Sequence, residues 1–173
     1  LIAYFLARTQ QLYESYGIPA DSLRFREVDK NERPFYSKET WDFEAETSLG
    51  WLELVANNYR TDYDLTQHAK HSGQKLEAIR DDGSRFVPHV LQMAFGTDRP
   101  TYALMDLFYE KKSEEEGKTM FAVPYQMAPM DVSVFPLMKK PELVAVAKSV
   151  KEELEKDFAD FAPDRVAMQD ATA

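Results

Sequence analysis

From Trp41 to Glu46 the apolar side chains return every second residue, and no other feature of this chain limits its fold so tightly. Trp41, Phe43 and Ala45 alternate with Asp42, Glu44 and Glu46, the pattern of a strand with one face on a core and one in water. Ser48-Leu49-Gly50 supplies a turn, and Trp51 to Ala56 runs back with apolar residues on both faces. The spacing predicts an antiparallel hairpin with one half-exposed and one buried strand. A second hairpin is expected from Leu76 to Arg80, through Asp81-Asp82-Gly83-Ser84, to Arg85–Gln92.

Helices flank these hairpins. Leu1, Phe5, Leu12, Tyr13 and Tyr16 are spaced for one helical face that Gly17 ends. Ser22 to Asp29 reads as a short strand, and Lys30 to Lys38 as irregular. Pro100 sits in the first turn of a helix predicted to reach about Glu110, with Ala103, Leu104, Leu107 and Phe108 inward. Lys111 to Lys118 reads as a charged loop containing the solvated run Ser113-Glu114-Glu115-Glu116, and Met120 to Tyr125 as a strand.

Near Pro129 the pattern changes. Val132, Val134 and Phe135 form a strand, and Pro141 starts a long amphipathic helix with Leu143, Val144, Ala147, Val150, Leu154 and Phe158 inward. A strand followed by a helix opens an α/β unit, unlike the hairpins before it. The expected division is 1–129 and 130–173, an α+β domain followed by the start of a second. The opening Leu1-Ile2-Ala3-Tyr4 reads as mid-helix, so the sequence is expected to be a piece of a longer protein.

Composition narrows the function classes. At 173 residues, 44% hydrophobic and 29% charged, the chain is a folded globular one. It has no cysteine, which excludes a disulfide framework and a cysteine-ligated zinc or iron–sulfur site. Its net charge of −9 confines any nucleic-acid contact to a local patch or to residues outside this chain. The longest apolar run, Leu1 to Ala7, is far below the roughly 20 residues of a membrane helix.

Three groups of residues could carry chemistry. Glu53 lies in an apolar strand, on the face expected to hold Trp51 and Val55; it either pairs with an internal Arg or Lys, or meets a substrate ammonium or a metal ion. The strand–turn–helix at 90–104 places Gly96 and Arg99 at a helix start, either a surface cap or a cradle for phosphate oxygens. His68 and His71 are three apart, a metal pair without a third ligand or simply surface residues of a helix.

The order of these motifs resembles the dimeric class II glycyl-tRNA synthetases. The resemblance runs through Asp21-Ser22-Leu23-Arg24-Phe25-Arg26, Tyr36, Trp41-Asp42, Gly50-Trp51-Leu52-Glu53-Leu54 and Arg60-Thr61-Asp62-Tyr63-Asp64-Leu65 with His68. It continues through Phe86-Val87-Pro88-His89, Gly96-Thr97-Asp98-Arg99, Gln126-Met127-Ala128-Pro129 and Val134-Phe135-Pro136-Leu137. Each motif is weak alone; in register they are strong.

The resemblance implies a class II antiparallel sheet flanked by helices, incomplete here, followed by the first β-α unit of an anticodon-binding domain. It implies ATP-dependent activation of glycine with Mg²⁺ and transfer to tRNA(Gly) by a cytoplasmic homodimer. Arg99 and Glu53 would be catalytic, and no protein-held metal site is expected. ATP would lie on Glu53, Leu54, Gly96, Thr97, Asp98 and Arg99, with Arg99 on its terminal phosphate. Glycine would lie on Glu53 and on Gln92-Met93-Ala94-Phe95-Gly96, the segment usually written Glu-Pro-Ser-x-Gly. Here the chain departs: Gln92, Met93 and Ala94 stand for the family's Glu, Pro and Ser. The family's first and second motifs have no counterpart, so the chain alone is expected to be inactive. The other reading is a non-catalytic synthetase-like module that binds nucleic acid or serves as an accessory.

Overall fold

Helix α1 (Ile2–Ser15) ends where Gly17 takes φ 86°, a left-handed conformation that glycine enters without a Cβ clash. Only Thr9 and Tyr13 of this helix are buried; Leu1 and Leu12, expected on the inner face, are exposed. The computed structural model describes residues 1–113, 118–157 and 166–168. They fall in two units, Leu1–Val123 and Pro124–Ala173. The acidic run 114–116, Phe158 and the tail from 169 lie outside the described residues.

The first unit is built on a four-stranded antiparallel sheet. Strands β1 (Leu23–Glu27), β2 (Glu39–Thr47) and β3 (Gly50–Thr61) are followed by helix α2 (Tyr63–Ser72) and the short strands β4 (Ala78–Ile79) and β5 (Arg85–Phe86). Strand β6 (Val90–Phe95) returns to the sheet, giving the order β1-β2-β3-β6. Helix α3 (Asp98–Leu107) comes next, then a hairpin of β7 (Tyr109–Ser113) and β8 (Lys118–Phe121).

The core gathers on one sheet face. Phe43, Ala45, Leu54 and Val55 pack with Tyr13, Ile18, Leu23 and Ala103. The Phe43 ring lies 5.1 Å from that of Tyr13 and 4.8 Å from that of Phe25. Burial, and then neighbouring Tyr16, push the Tyr13 hydroxyl up to about 12.

Four expectations change. First, β2 rather than β3 is the more buried strand of the hairpin, because β1 and β3 flank it; Asp42 and Glu44 are themselves buried. Second, the register shifts beside Leu54: Phe43 faces Val55, while Glu44 faces Glu53. This bulge inserts one residue and turns the alternation over. Leu54 and Val55 both reach the core, and Glu53 shares its face with Trp51 and Ala56 but not with Val55. Third, Arg85–Gln92 is not one strand, since β5 pairs with β4 and β6 with β3. Pro88, which has no N–H for a ladder, stands between them. Fourth, α3 stops at Leu107, and the charged segment after it starts as strand β7, an alternation too polar to stand out.

The second unit pairs β9 (Val132–Val134) in parallel with β10 (Val166–Met168), joined by helix α4 (Pro141–Asp157). A parallel pair requires such a crossover. Among the described residues no helix is long and apolar enough to cross a membrane.

Candidate active site

The bulge at Leu54 creates the polar face. Opposite the core, the register sets Arg24 beside Glu44, Arg26 beside Asp42, Glu44 beside Glu53, Asp42 beside Ala56, and Ala56 beside Ala94. The buried carboxylates are met from β1: Arg24 Nε lies 2.6 Å from Glu44 Oε2, Arg26 Nη2 lies 2.8 Å from Asp42 Oδ2, and Arg26 Nε lies 3.2 Å from Glu44 Oε1. Arg24 also stacks on Trp51, 4.0 Å from the ring. Glu53 has neither arginine.

At the other edge β6 runs out through Gly96 into α3. Glu53, Leu54, Ala56, Ala94, Phe95, Gly96, Thr97, Asp98 and Arg99 enclose a cleft of about 450 Å³. A neighbouring hollow of about 290 Å³ shares Glu53 and Ala56 and adds Tyr36, Asp42 and Asn58. A Cβ at Gly96 would meet nothing within 4 Å, and Gly96 has no left-handed φ, so neither packing nor backbone conformation requires a glycine there. Thr97 caps α3 without a side-chain hydrogen bond, so the amides of Asp98 and Arg99 remain available to an acceptor, while Pro100, third in the helix, has no N–H to offer.

Arg99 reaches across this opening. Its Nη1 lies 3.2 Å from Glu53 Oε1 and donates to the Glu53 carbonyl oxygen at 3.3 Å. The two side chains are 56% and 41% exposed. An ion pair so open to water contributes about 1 kcal/mol or less, so a ligand that meets both groups can replace it at little cost. At the far end of α3, Asp106 accepts hydrogen bonds from Ser48 Oγ (2.5 Å) and Ser48 N (2.7 Å), which hold its carboxyl below the usual range. This brace ties the β2–β3 turn to the helix that carries Arg99.

Asp42 is held above the usual carboxylate range, first by burial and then by the field of Glu53, against the opposing pull of Arg26. The sign follows from proton linkage. A raised folded value means that the folded state keeps this proton while the unfolded chain loses it, so stability falls as pH rises through that window and stays reduced above it. Asp42→Asn is therefore expected to raise the thermal midpoint at pH 7. The gain should vanish at acid pH, where Asp42 is protonated in both states. A fall at pH 7 would show that the Arg26 contact outweighs burial.

The remaining candidates are placed as follows. Gln92 lies on the polar face opposite Asn58, and its Oε1 accepts from Arg60 Nη1 at 2.6 Å. Met93 lies on the other face, in a separate hollow with Phe5, Arg8, Thr9 and Leu12 of α1. His68 and His71 are exposed on α2, and among the described residues no three His, Cys, Asp or Glu side chains are grouped to hold a metal. Sequence reasoning quoted Asp42 and Arg60 within motifs but gave them no role. The alternation that put Asp42 on the face of Glu44 was the available signal for the first.

No family model matches the chain. It is 31% identical over 163 residues to the glycine–tRNA ligase of Treponema denticola, a match covering 90% of this chain and 36% of that protein. It is 38% identical over 130 residues to that of Lachnoclostridium phytofermentans, covering 73% and 28%. The chain is a relative of the glycine–tRNA ligases. The relationship crosses domains of life: the archaeal glycine–tRNA ligase of Aeropyrum pernix is 28% identical over 227 residues, covering 88% of this chain and 38% of the relative. The chain thus spans about a third of the length of the curated relatives it matches.

Proposed function

We infer that this chain is the C-terminal part of a class II glycyl-tRNA synthetase core, residues 1–129, followed by the opening of an anticodon-binding domain, residues 130–173. The protein that carries it activates glycine with ATP and transfers it to tRNA(Gly), as a homodimer in the cytoplasm. One observation carries this reading most directly: Glu53 and Arg99 face each other 3.2 Å apart at the mouth of the cleft beside the uncapped start of α3.

That geometry suits a polyphosphate and an ammonium in one site. Arg99 offers a planar fork to phosphate oxygens, and the α3 amides add donors without moving. Once Arg99 turns to the nucleotide, Glu53 is left with an unmatched charge for the ammonium of glycine or for Mg²⁺. The two carboxylates that line the cleft, Glu53 and Asp98, fit Mg²⁺ as a ligand shared with nucleotide phosphates, not as a protein cage; bound there, the ion would neutralise phosphate charge. Positioning and charge neutralisation are what phosphoryl and adenylyl transfer ask of a protein.

Glycine-dependent ATP–pyrophosphate exchange tests the reading. The complete protein is expected to exchange with glycine and not with alanine, and the isolated 173 residues to show no exchange. A complete protein that exchanges with no amino acid would leave the accessory-module reading in its place.

A further inference from the structure

The connection from β1 to β2 holds a further hollow, which shares no residue with the cleft. Lys30, Arg33, Pro34, Phe35, Ser37 and Lys38 enclose about 430 Å³. Three cations and no carboxylate therefore line it, in a chain whose net charge is −9. The acidic groups of the same segment are engaged elsewhere. Asp29 Oδ1 accepts from the backbone and side-chain nitrogens of Asn31, both at 2.9 Å, and Glu32 Oε2 lies 3.1 Å from Arg26 Nη1. Glu27 stands 3.8 Å from Arg33, and Lys30 and Lys38 have no ion-pair partner among the described residues. Arg33 fixes the segment: Nη1 donates to the Lys38 carbonyl and Nη2 to the Val28 carbonyl at 3.1 Å, which ties its two ends together. On this frame the Phe35 ring meets Tyr36 and Tyr63 edge-on, with centroids 5.3 and 5.9 Å apart, yet Phe35 stays 86% exposed.

A fixed cationic hollow beside an open aromatic ring suits single-stranded nucleic acid, whose phosphates follow cations and whose bases stack on aromatic faces. A free phosphate would use the cations and leave the ring idle; an apolar protein segment would cover the ring and leave the cations unmatched. Position adds a direction. Pro34 also lines the 290 Å³ hollow, which in turn shares Glu53 and Ala56 with the cleft. That middle hollow carries Glu32, Asp42 and Glu53, carboxylates that repel a phosphate but accept hydrogen bonds from ribose hydroxyls. The two charges thus sort an RNA end by its parts. We propose that the β1–β2 connection guides the unpaired 3′ end of the tRNA, with a phosphate in the Lys30–Lys38 hollow and a base on Phe35, so that the terminal ribose, which has no phosphate beyond it, crosses the acidic hollow to the cleft. The proposal rests on the glycyl transfer inferred above, and it gives an acidic chain its nucleic-acid contact as a local patch.

Two reactions of the complete protein test this, because charging needs the RNA end and pyrophosphate exchange does not. Phe35→Ala is expected to raise the KM for tRNA(Gly) about tenfold, the usual worth of one stacked base, while Phe35→Trp, which keeps a stacking face, stays within about twofold of wild type. Lys30→Ala combined with Lys38→Ala should raise that KM by a similar factor and reduce the salt slope of tRNA binding by about 1. In each variant glycine-dependent exchange should stay within about twofold, and the thermal midpoint should not move. Binding of a tRNA shortened by its unpaired 3′ nucleotides should be equal in wild type and variants. An unchanged KM in both Phe35→Ala and the double lysine variant overturns the proposal, and so does a loss that persists on the shortened tRNA. A lower thermal midpoint in Phe35→Ala with the KM unchanged would show that a protein segment covers the ring, and overturns it as well. Absence of exchange in the wild type would instead sink the glycine-activating function, while the two binding measurements would still decide whether this hollow takes an RNA end.

Discussion

Arg99→Ala in the complete protein is expected to lower glycine-dependent pyrophosphate exchange about 10³-fold or more while leaving the thermal midpoint within about 2 °C of wild type. The first half follows from position. Arg99 is the cation that faces the cleft from the start of α3, and its acceptors among the described residues, the Glu53 side chain and carbonyl, are partly exposed groups that a nucleotide can displace. Removing one preorganised donor or an arginine from a transferring phosphoryl group typically forfeits 10²–10⁵ in rate. The second half follows from exposure, since a pair this open to water holds little stability. Arg99→Lys should recover only part of the activity, because a point charge cannot reproduce the fork. Activity within tenfold of wild type in Arg99→Ala would remove Arg99 from the site.

The strand and the helix start that frame the candidate site were legible in the sequence, for a reason that also marks where legibility stopped. The alternation from Trp41 to Glu46 located β2, and Gly96 with Pro100 located the strand-to-helix junction, because side-chain period and turn chemistry are local properties. The face of Glu53 was not local. It depends on one inserted residue, Leu54, whose signature exists only in the pairing of β3 with β2. A strict period of two put Glu53 with Val55; the bulge put it with the carboxylates of β2 and opposite the core. The hydrogen bond from Arg60 to Gln92 was likewise hidden, since the two are 32 residues apart and meet through the β3–β6 register. Pro88 did carry a warning against one continuous strand from Arg85 to Gln92, and the apolar spacing outweighed it.

The same strand that exposes the candidate chemistry also anchors the fold, and a single truncation separates the two roles. Phe43 is completely buried between Tyr13 and Phe25, in register with Phe25 on β1 and Val55 on β3. Its immediate neighbours Asp42 and Glu44 belong to the opposite, polar face. Phe43→Ala empties the centre of the core. Loss of burial and the cavity left behind together cost about 3–5 kcal/mol, a large share of the ~5–15 kcal/mol that holds a domain together. The thermal midpoint of the complete protein's catalytic unfolding step is expected to fall by about 10 °C, and Phe43→Leu by much less, since most of the volume is kept. At a temperature where the variant is still folded, Phe43→Ala should retain the KM for ATP, because Phe43 packs in the core cluster whereas Arg99 pairs with Glu53 at the cleft. The opposite profile is expected of Arg99→Ala, stable and inactive. A Phe43→Ala midpoint within about 2 °C of wild type would mean that β2 is not the centre of this sheet, and with it would go the parity that places Glu53 in the cleft.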